Sequence, residues 1–143
     1  MTDDRPARGL LDTSTVVLLP RLLDPLVLPR EPLISTITLA ELSVGPLVAT
    51  SEDERGRRQA EVQQAESDFD PLPFDRDAAH AFARVSMSLR RSGRKTNARA
   101  FDALIASVAV ANGLPLYTCN PGDFQGIEDL DLIAIRHPDM PEE

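Results

Sequence analysis

Four carboxylates are placed where they could do chemistry: Asp12 in "GLLDTST", Glu41 in "TLAELSVG", Asp102 in "AFDALIAS" and Asp123 in "NPGDF". Asp102 is the most informative. It opens an apolar run, where an unpaired carboxylate is costly to desolvate. Ala106 and Ala109 share its helical face, with Ile105 close by, and the small alanines let that helix approach a sheet. Two unit charges about 4 Å apart repel by roughly 4 kcal/mol at an effective dielectric of about 20. A cluster of such groups needs protons or cations. Hard oxygen donors without His or Cys favour Mg²⁺ or Mn²⁺ over zinc.

Each acid also has an ordinary structural reading. Asp12 can cap the helix that follows it, although Ser14 could cap equally well and free Asp12. On a helical wheel Ile37, Ala40, Val44 and Val48 form an inward stripe, with Glu41 on its border as a solvated residue. Asp102 can cap a helix start and gain from the helix dipole. Asp123 follows the turn pair Pro121-Gly122, where an Asp is ordinary turn chemistry, with Thr118 and Asn120 as neutral hydrogen-bonding groups nearby.

The elements that must position these acids alternate between two periods. "GLLDTSTVVLLPRLL" predicts a short strand ending at Asp12 and a helix from about Ser14. The proline-rich "DPLVLPREP" breaks that pattern. A brief strand around Ile34 leads to a helix through Glu41, capped near Thr36 or Thr38. "SEDERGRRQAEVQQAESDF" reads as a solvated helix with a Ser cap, and "DPLPF" as an extended piece. An amphipathic helix follows, capped by Asp75 and stopped at Gly93. After the basic turn "RKTNAR", residues 98–112 form an apolar helix. "LPLYTC" and "LDLIAI" are the last strands, with the loop "NPGDFQGIED" between them. Strands alternating with helices predict an α/β fold, a parallel sheet covered on both faces. In such sheets ligands bind beyond the carboxyl ends of the strands.

The 143 residues suit one domain, expected over 9–136, with a frayed segment 1–8 and a tail 137–143. Cys119 is the single cysteine, which excludes an intrachain disulfide framework and zinc-ligand spacing. No apolar run approaches the roughly 18 residues of a membrane span. The start "MTDDRPARG" is a poor signal peptide, so a cytoplasmic protein without a membrane role is expected. A net charge of −8 argues on its face against nucleic acid. A site for divalent cations must concentrate carboxylates, however, so net charge alone does not decide.

The segments "GLLDTSTVVLL", "ISTITLAELSVG" and "AFDALIASVAVANGLPLYTCNPGDF" occur in the order and spacing of PIN-domain ribonucleases. The chain resembles in particular the small VapC-like toxins of bacterial toxin–antitoxin pairs, over residues 9 to 136. The resemblance implies an α/β/α sandwich with a mostly parallel sheet of four or five strands. It also implies an endoribonuclease in which Asp12, Glu41, Asp102 and Asp123 hold Mg²⁺ or Mn²⁺. There a bound metal lowers the pKa of its water and offsets charge on the phosphate. Ser14 matches the supporting hydroxyl after the first acid, and Asn120 the polar residue of the last turn. Pro121 and Gly122 depart from the family pattern there and put the reach of Asp123 in question. The implied partners are RNA, a cognate antitoxin covering the cleft, and a second copy in a homodimer. "PRLLDPLVLP" and the "TLAELSVGPLV" helix are candidate docking surfaces for the antitoxin, and equally candidates for the homodimer surface or for core.

An acidic protein needs local positive charge to attract RNA. Arg90, Arg91, Arg94, Lys95 and Arg99 stand immediately before Asp102 and are the candidate phosphate contacts, against a simpler role in pairing with the helix dipole. His80 and His137 are expected to be structural or solvent-facing, and Cys119 a buried strand residue without a paired base. Two other classes compete. A magnesium-dependent phosphatase of the haloacid-dehalogenase type would want a second Asp two residues after the first, where Ser14 stands. A catalytically silent PIN scaffold that binds partners would not need all four acids.

Overall fold

The computed structural model describes residues 3–94 and 100–140. Along the chain run β1 (Arg8–Leu11), α1 (Thr13–Leu18), β2 (Glu31–Leu33), α2 (Thr36–Val44), α3 (Glu52–Asp68), α4 (Arg76–Arg91), α5 (Ala100–Ala111), β3 (Leu116–Thr118) and β4 (Leu132–Ala134). The strands form one sheet of order β2-β1-β3-β4, and every pairing is parallel. β1 pairs with β2 on one side and β3 on the other, so the chain leaves β1 in one direction and later returns on its opposite edge. That makes the carboxyl ends of β1 and β3 a topological switch point.

Side-chain alternation in the two central strands builds two layers. Leu10 and Leu116 face one way, into a core with Val85 and Leu89 of α4 and Ile105 and Val108 of α5. Leu11 and Tyr117 face the other way and pack with Val16 and Leu18 of α1, together with Leu19. Each fully buried aliphatic side chain contributes about 1.5–3 kcal/mol. Gly9 permits the tight central pairing, because a Cβ there would run into the Tyr117 ring.

Helix starts follow their caps. Ser51 accepts from the Glu54 amide and Asp75 from the Ala78 amide, as the sequence predicts. Asp12 rather than Ser14 caps α1, the two candidates the sequence offers there. One start differs from expectation: Ser35, not Thr36 or Thr38, caps α2. The buried face of α2 also differs. Thr38 and Leu42 point inward, while Val44 is 50% and Val48 62% exposed. A hydrophobic wheel misses this because the Thr38 hydroxyl is satisfied inside the protein, which makes a polar residue admissible there. Upstream of β1, the Arg5 guanidinium donates to the Pro25 and Leu28 carbonyls. Among the described residues no helix is long and apolar enough to cross a membrane.

Candidate active site

Asp12 follows the last residue of β1, and its backbone N–H donates to the Tyr117 carbonyl of β3. Only 3% of Asp12 is exposed. A buried carboxylate must be supplied with donors, and this one has three. Oδ1 accepts from the Thr15 amide at 3.0 Å, the α1 cap. Oδ2 accepts from the Thr118 hydroxyl at 2.6 Å and from the Ser14 hydroxyl at 3.1 Å.

Both hydroxyls are in turn held by Asn120. Its backbone N–H donates to Thr118 Oγ1 at 2.9 Å, and its side-chain amide donates to Ser14 Oγ at 3.0 Å. A hydroxyl has one proton to give. Since both accept from Asn120, both are turned to donate to Asp12. Ser14 and Asn120 therefore have the supporting places the sequence suggests, although Asp12 keeps the capping role as well.

Glu41 lies on α2, half-buried. Its Oε1 accepts from the Thr13 hydroxyl at 2.7 Å. Thr13 also meets the Thr38 hydroxyl at 3.0 Å. With its single proton committed to Glu41, Thr13 must accept from Thr38, which gives the relay Thr38 to Thr13 to Glu41. Burial pushes the Glu41 carboxyl above its ordinary pKa. The Thr13 bond opposes that shift, and the negative charge of Asp12 adds to it. Asp12 and Glu41 are thus electrostatic neighbours.

The other two acids do not join them as a ready-made cage. Asp102 is in the first turn of α5, half-buried on the helix that covers the Leu10 face. Asp123 is in the 3₁₀ turn Pro121–Phe124 after β3, where its backbone N–H donates to the Asn120 carbonyl at 3.0 Å. Each has interactions of its own. Among the described residues no three His, Cys, Asp or Glu side chains are grouped to hold a metal ion. Of the four acids, Asp12 and Glu41 are the two that sense each other's charge directly. The donor chemistry of the central pair nevertheless suits a hard cation, being oxygen-only, desolvated and doubly acidic.

The basic cluster divides. Arg90 is exposed at the end of α4. Arg91 approaches Glu128 at 3.8 Å, and Arg94 donates to the Gly122 carbonyl at 2.7 Å. Lys95 and Arg99 lie outside the described residues. His80 is exposed on α4, and His137 Nδ1 accepts from the Asp139 amide. Cys119 is buried beside Thr15, and burial pushes its thiol pKa up, which disfavours the nucleophilic thiolate. Sequence reasoning missed Thr13 and Thr38. The signal was a hydroxyl directly after one acid and another three residues before the next.

A second feature lies on the α1 side of the sheet. An open groove of ≈ 850 Å³ runs between α1 with its following turn and α3, floored by Val16, Leu19, Leu42, Ala60 and Phe69. Elsewhere on the surface two leucines are unusually bare, with Leu23 91% and Leu47 81% exposed.

Known proteins share this chain's pattern. Residues 10–129 match the PIN domain family. Ribonuclease VapC5 of Mycobacterium tuberculosis is 38% identical over 132 residues, covering 91% of this chain and 95% of its own length. Ribonuclease VapC4 of the same organism is 32% identical over 102 residues, covering 71% and 75% respectively. Among solved structures, a member of the VapBC family of toxin–antitoxin systems, VapBC-5 from Mycobacterium tuberculosis, superposes with a TM-score of 0.78 at 35% identity. It covers 91% of this chain and 100% of its own. The four-stranded parallel sheet, the acid at the end of β1 and these matches lead to one assignment: the chain belongs to the PIN-domain family, in its VapC ribonuclease branch.

Proposed function

We propose that this chain is a metal-dependent endoribonuclease, the toxin of a toxin–antitoxin pair, acting on RNA in the cytoplasm. One observation carries the reading. A buried carboxylate, Asp12, is fixed by three donors at the switch point of a parallel sheet, with the desolvated Glu41 as its electrostatic neighbour. Asp12 and Glu41 would hold Mg²⁺ or Mn²⁺, and Asp102 and Asp123 would complete the ligand set. When bound, such a cation supplies the charge that makes water nucleophilic at neutral pH and offsets charge building on the phosphate. Ser14, Thr118 and Asn120 orient Asp12, while Thr13 and Thr38 orient Glu41. Arg90, exposed at the end of α4, is available to a phosphate. The groove between α1 and α3 suits an apolar antitoxin segment.

The test incubates purified protein with structured RNAs in Mg²⁺, Mn²⁺ or chelator, beside Asp12→Asn and Asp102→Asn. Cutting is expected only with metal and with both aspartates. A partner-binding scaffold without catalysis is the second reading, favoured by the absence of a grouped set of three acids among the described residues. No cleavage under any condition would select it, whereas cleavage that survives both substitutions would remove the two aspartates from the reaction.

A further inference from the structure

The turn that carries Asp123 is short, and inside it the Asp123 N–H donates to the Asn120 carbonyl at 3.0 Å. The far end of α4 adds a hold from outside. Arg94 reaches from the turn after α4 and donates from Nη1 to the Gly122 carbonyl at 2.7 Å, one residue before Asp123. Beyond Asp123, Phe124 is 1% exposed and anchored in the core that contains Val85 and Leu89. Gly126 follows with φ +93, and a Cβ there would stand 2.6 Å from Ser92 Oγ. The Glu128 amide donates to Ser88 Oγ at 3.4 Å, and its carboxylate meets Arg91. Ser88, Arg91 and Ser92 share one helical face by their i, i+3, i+4 spacing. Segment 122–128 is therefore docked along that face, with Arg94 closing the end nearest the acid.

We infer that Arg94 is a positioning residue. It fixes Gly122, and through it the place of the Asp123 carboxylate at the sheet edge, and its guanidinium is not a phosphate contact. This rests on the proposed use of Asp123 as one of the site's acids. A guanidinium suits the task because it is always charged and presents its donors in a rigid fork.

The experiment compares wild type, Arg94→Ala, Gly126→Ala and Asp123→Asn in three measurements. These are amide hydrogen exchange, RNA cleavage resolved into kcat and KM, and the salt dependence of RNA binding. In Arg94→Ala the Asp123 amide should exchange about tenfold faster or more, with the β1 and α4 amides unchanged. Its kcat should fall by about tenfold to a hundredfold, because a small misplacement of a reacting group costs that much. KM and the salt slope should stay at wild-type values. Gly126→Ala, which removes no charge, should show the same fall in kcat at the same KM. A raised KM with a shallower salt slope and unchanged exchange in Arg94→Ala would overturn the inference and make Arg94 an RNA contact. If Asp123→Asn cuts normally, the use of Asp123 falls. The hold of Arg94 on the turn is then decided by exchange alone, and unchanged exchange overturns it.

Discussion

The Thr118 hydroxyl donates a 2.6 Å hydrogen bond to Asp12 Oδ2, joining the carboxyl ends of β3 and β1. Both groups are largely withdrawn from bulk water, with Thr118 0% and Asp12 3% exposed. The bond is charge-assisted and short, and Asn120 fixes its direction. It therefore both stabilises the sheet edge and sets the angle of the acid.

Thr118→Val keeps the shape of the side chain and removes the donor. The Asn120 amide loses its acceptor in the same step. We expect a loss of about 1.5–3 kcal/mol in denaturant unfolding, the range for a bond to a charged group. Thr118→Ser should recover most of it. Cleavage should fall with Thr118→Val even at temperatures where the protein is fully folded.

Asp12→Asn separates folding from chemistry. The substitution keeps one oxygen for the Thr15 cap, but turns an amide toward two hydroxyls that are oriented to donate. Stability should fall by about 1–3 kcal/mol, the cost of buried groups left without partners. Cleavage should fall by at least about a hundredfold, since even changes to groups behind a metal ligand reach that size. Thermal unfolding beside a cleavage assay distinguishes the two losses. Cleavage lowered only in proportion to the folded fraction would remove Asp12 from the site.

Much of this arrangement was legible in the sequence, and the parts that were not share a cause. Asp75 and Ser51 announced their helices, because a cap acts within three residues and needs no tertiary knowledge. Asp12 was legible as an acid at a strand end. The inward face of α2 was not, because Thr38 is buried by a bond to Thr13 that no periodicity reveals. Nor was the double engagement of Asp12, whose Oδ1 takes the cap while Oδ2 takes two hydroxyls. The basic stretch at the end of α4 left two readings open, pairing with the helix dipole and contact with phosphate. Arg91 and Arg94 instead reach Glu128 and Gly122, contacts between segments that only the fold brings together.

Glu41 gives the site a pH signature in the metal-free protein. Burial first, and Asp12 after it, raise its pKa above the ordinary glutamate value despite the Thr13 bond. For an acid, a raised folded-state pKa means that ionisation costs stability. That cost is absent below the ordinary value and complete once the pH has passed the raised one. Glu41→Gln keeps an acceptor for Thr13 and carries no charge. With chelator present at neutral pH it should melt above wild type, and the gap should close on acidification below the ordinary glutamate range. Equal melting temperatures at neutral pH would contradict the burial that raises the Glu41 pKa.

Thr13 is the residue through which Glu41 is aimed. Its hydroxyl holds Oε1 and takes a proton from Thr38, which is 0% exposed and is otherwise without a side-chain acceptor among the described residues. Thr13→Val removes the donor and strands the Thr38 hydroxyl in the same change. Groups that orient metal ligands from behind are worth about 10–100-fold in metal affinity or activity. Titration of the folded protein with Mn²⁺ should show weakening of that order for Thr13→Val and near wild-type binding for Thr13→Ser. Thr38→Val should weaken binding less, because Thr13 then keeps its bond to Glu41 and loses only its own restraint. Equal binding by wild type and Thr13→Val would mean that the orientation of Glu41 is set elsewhere on α2.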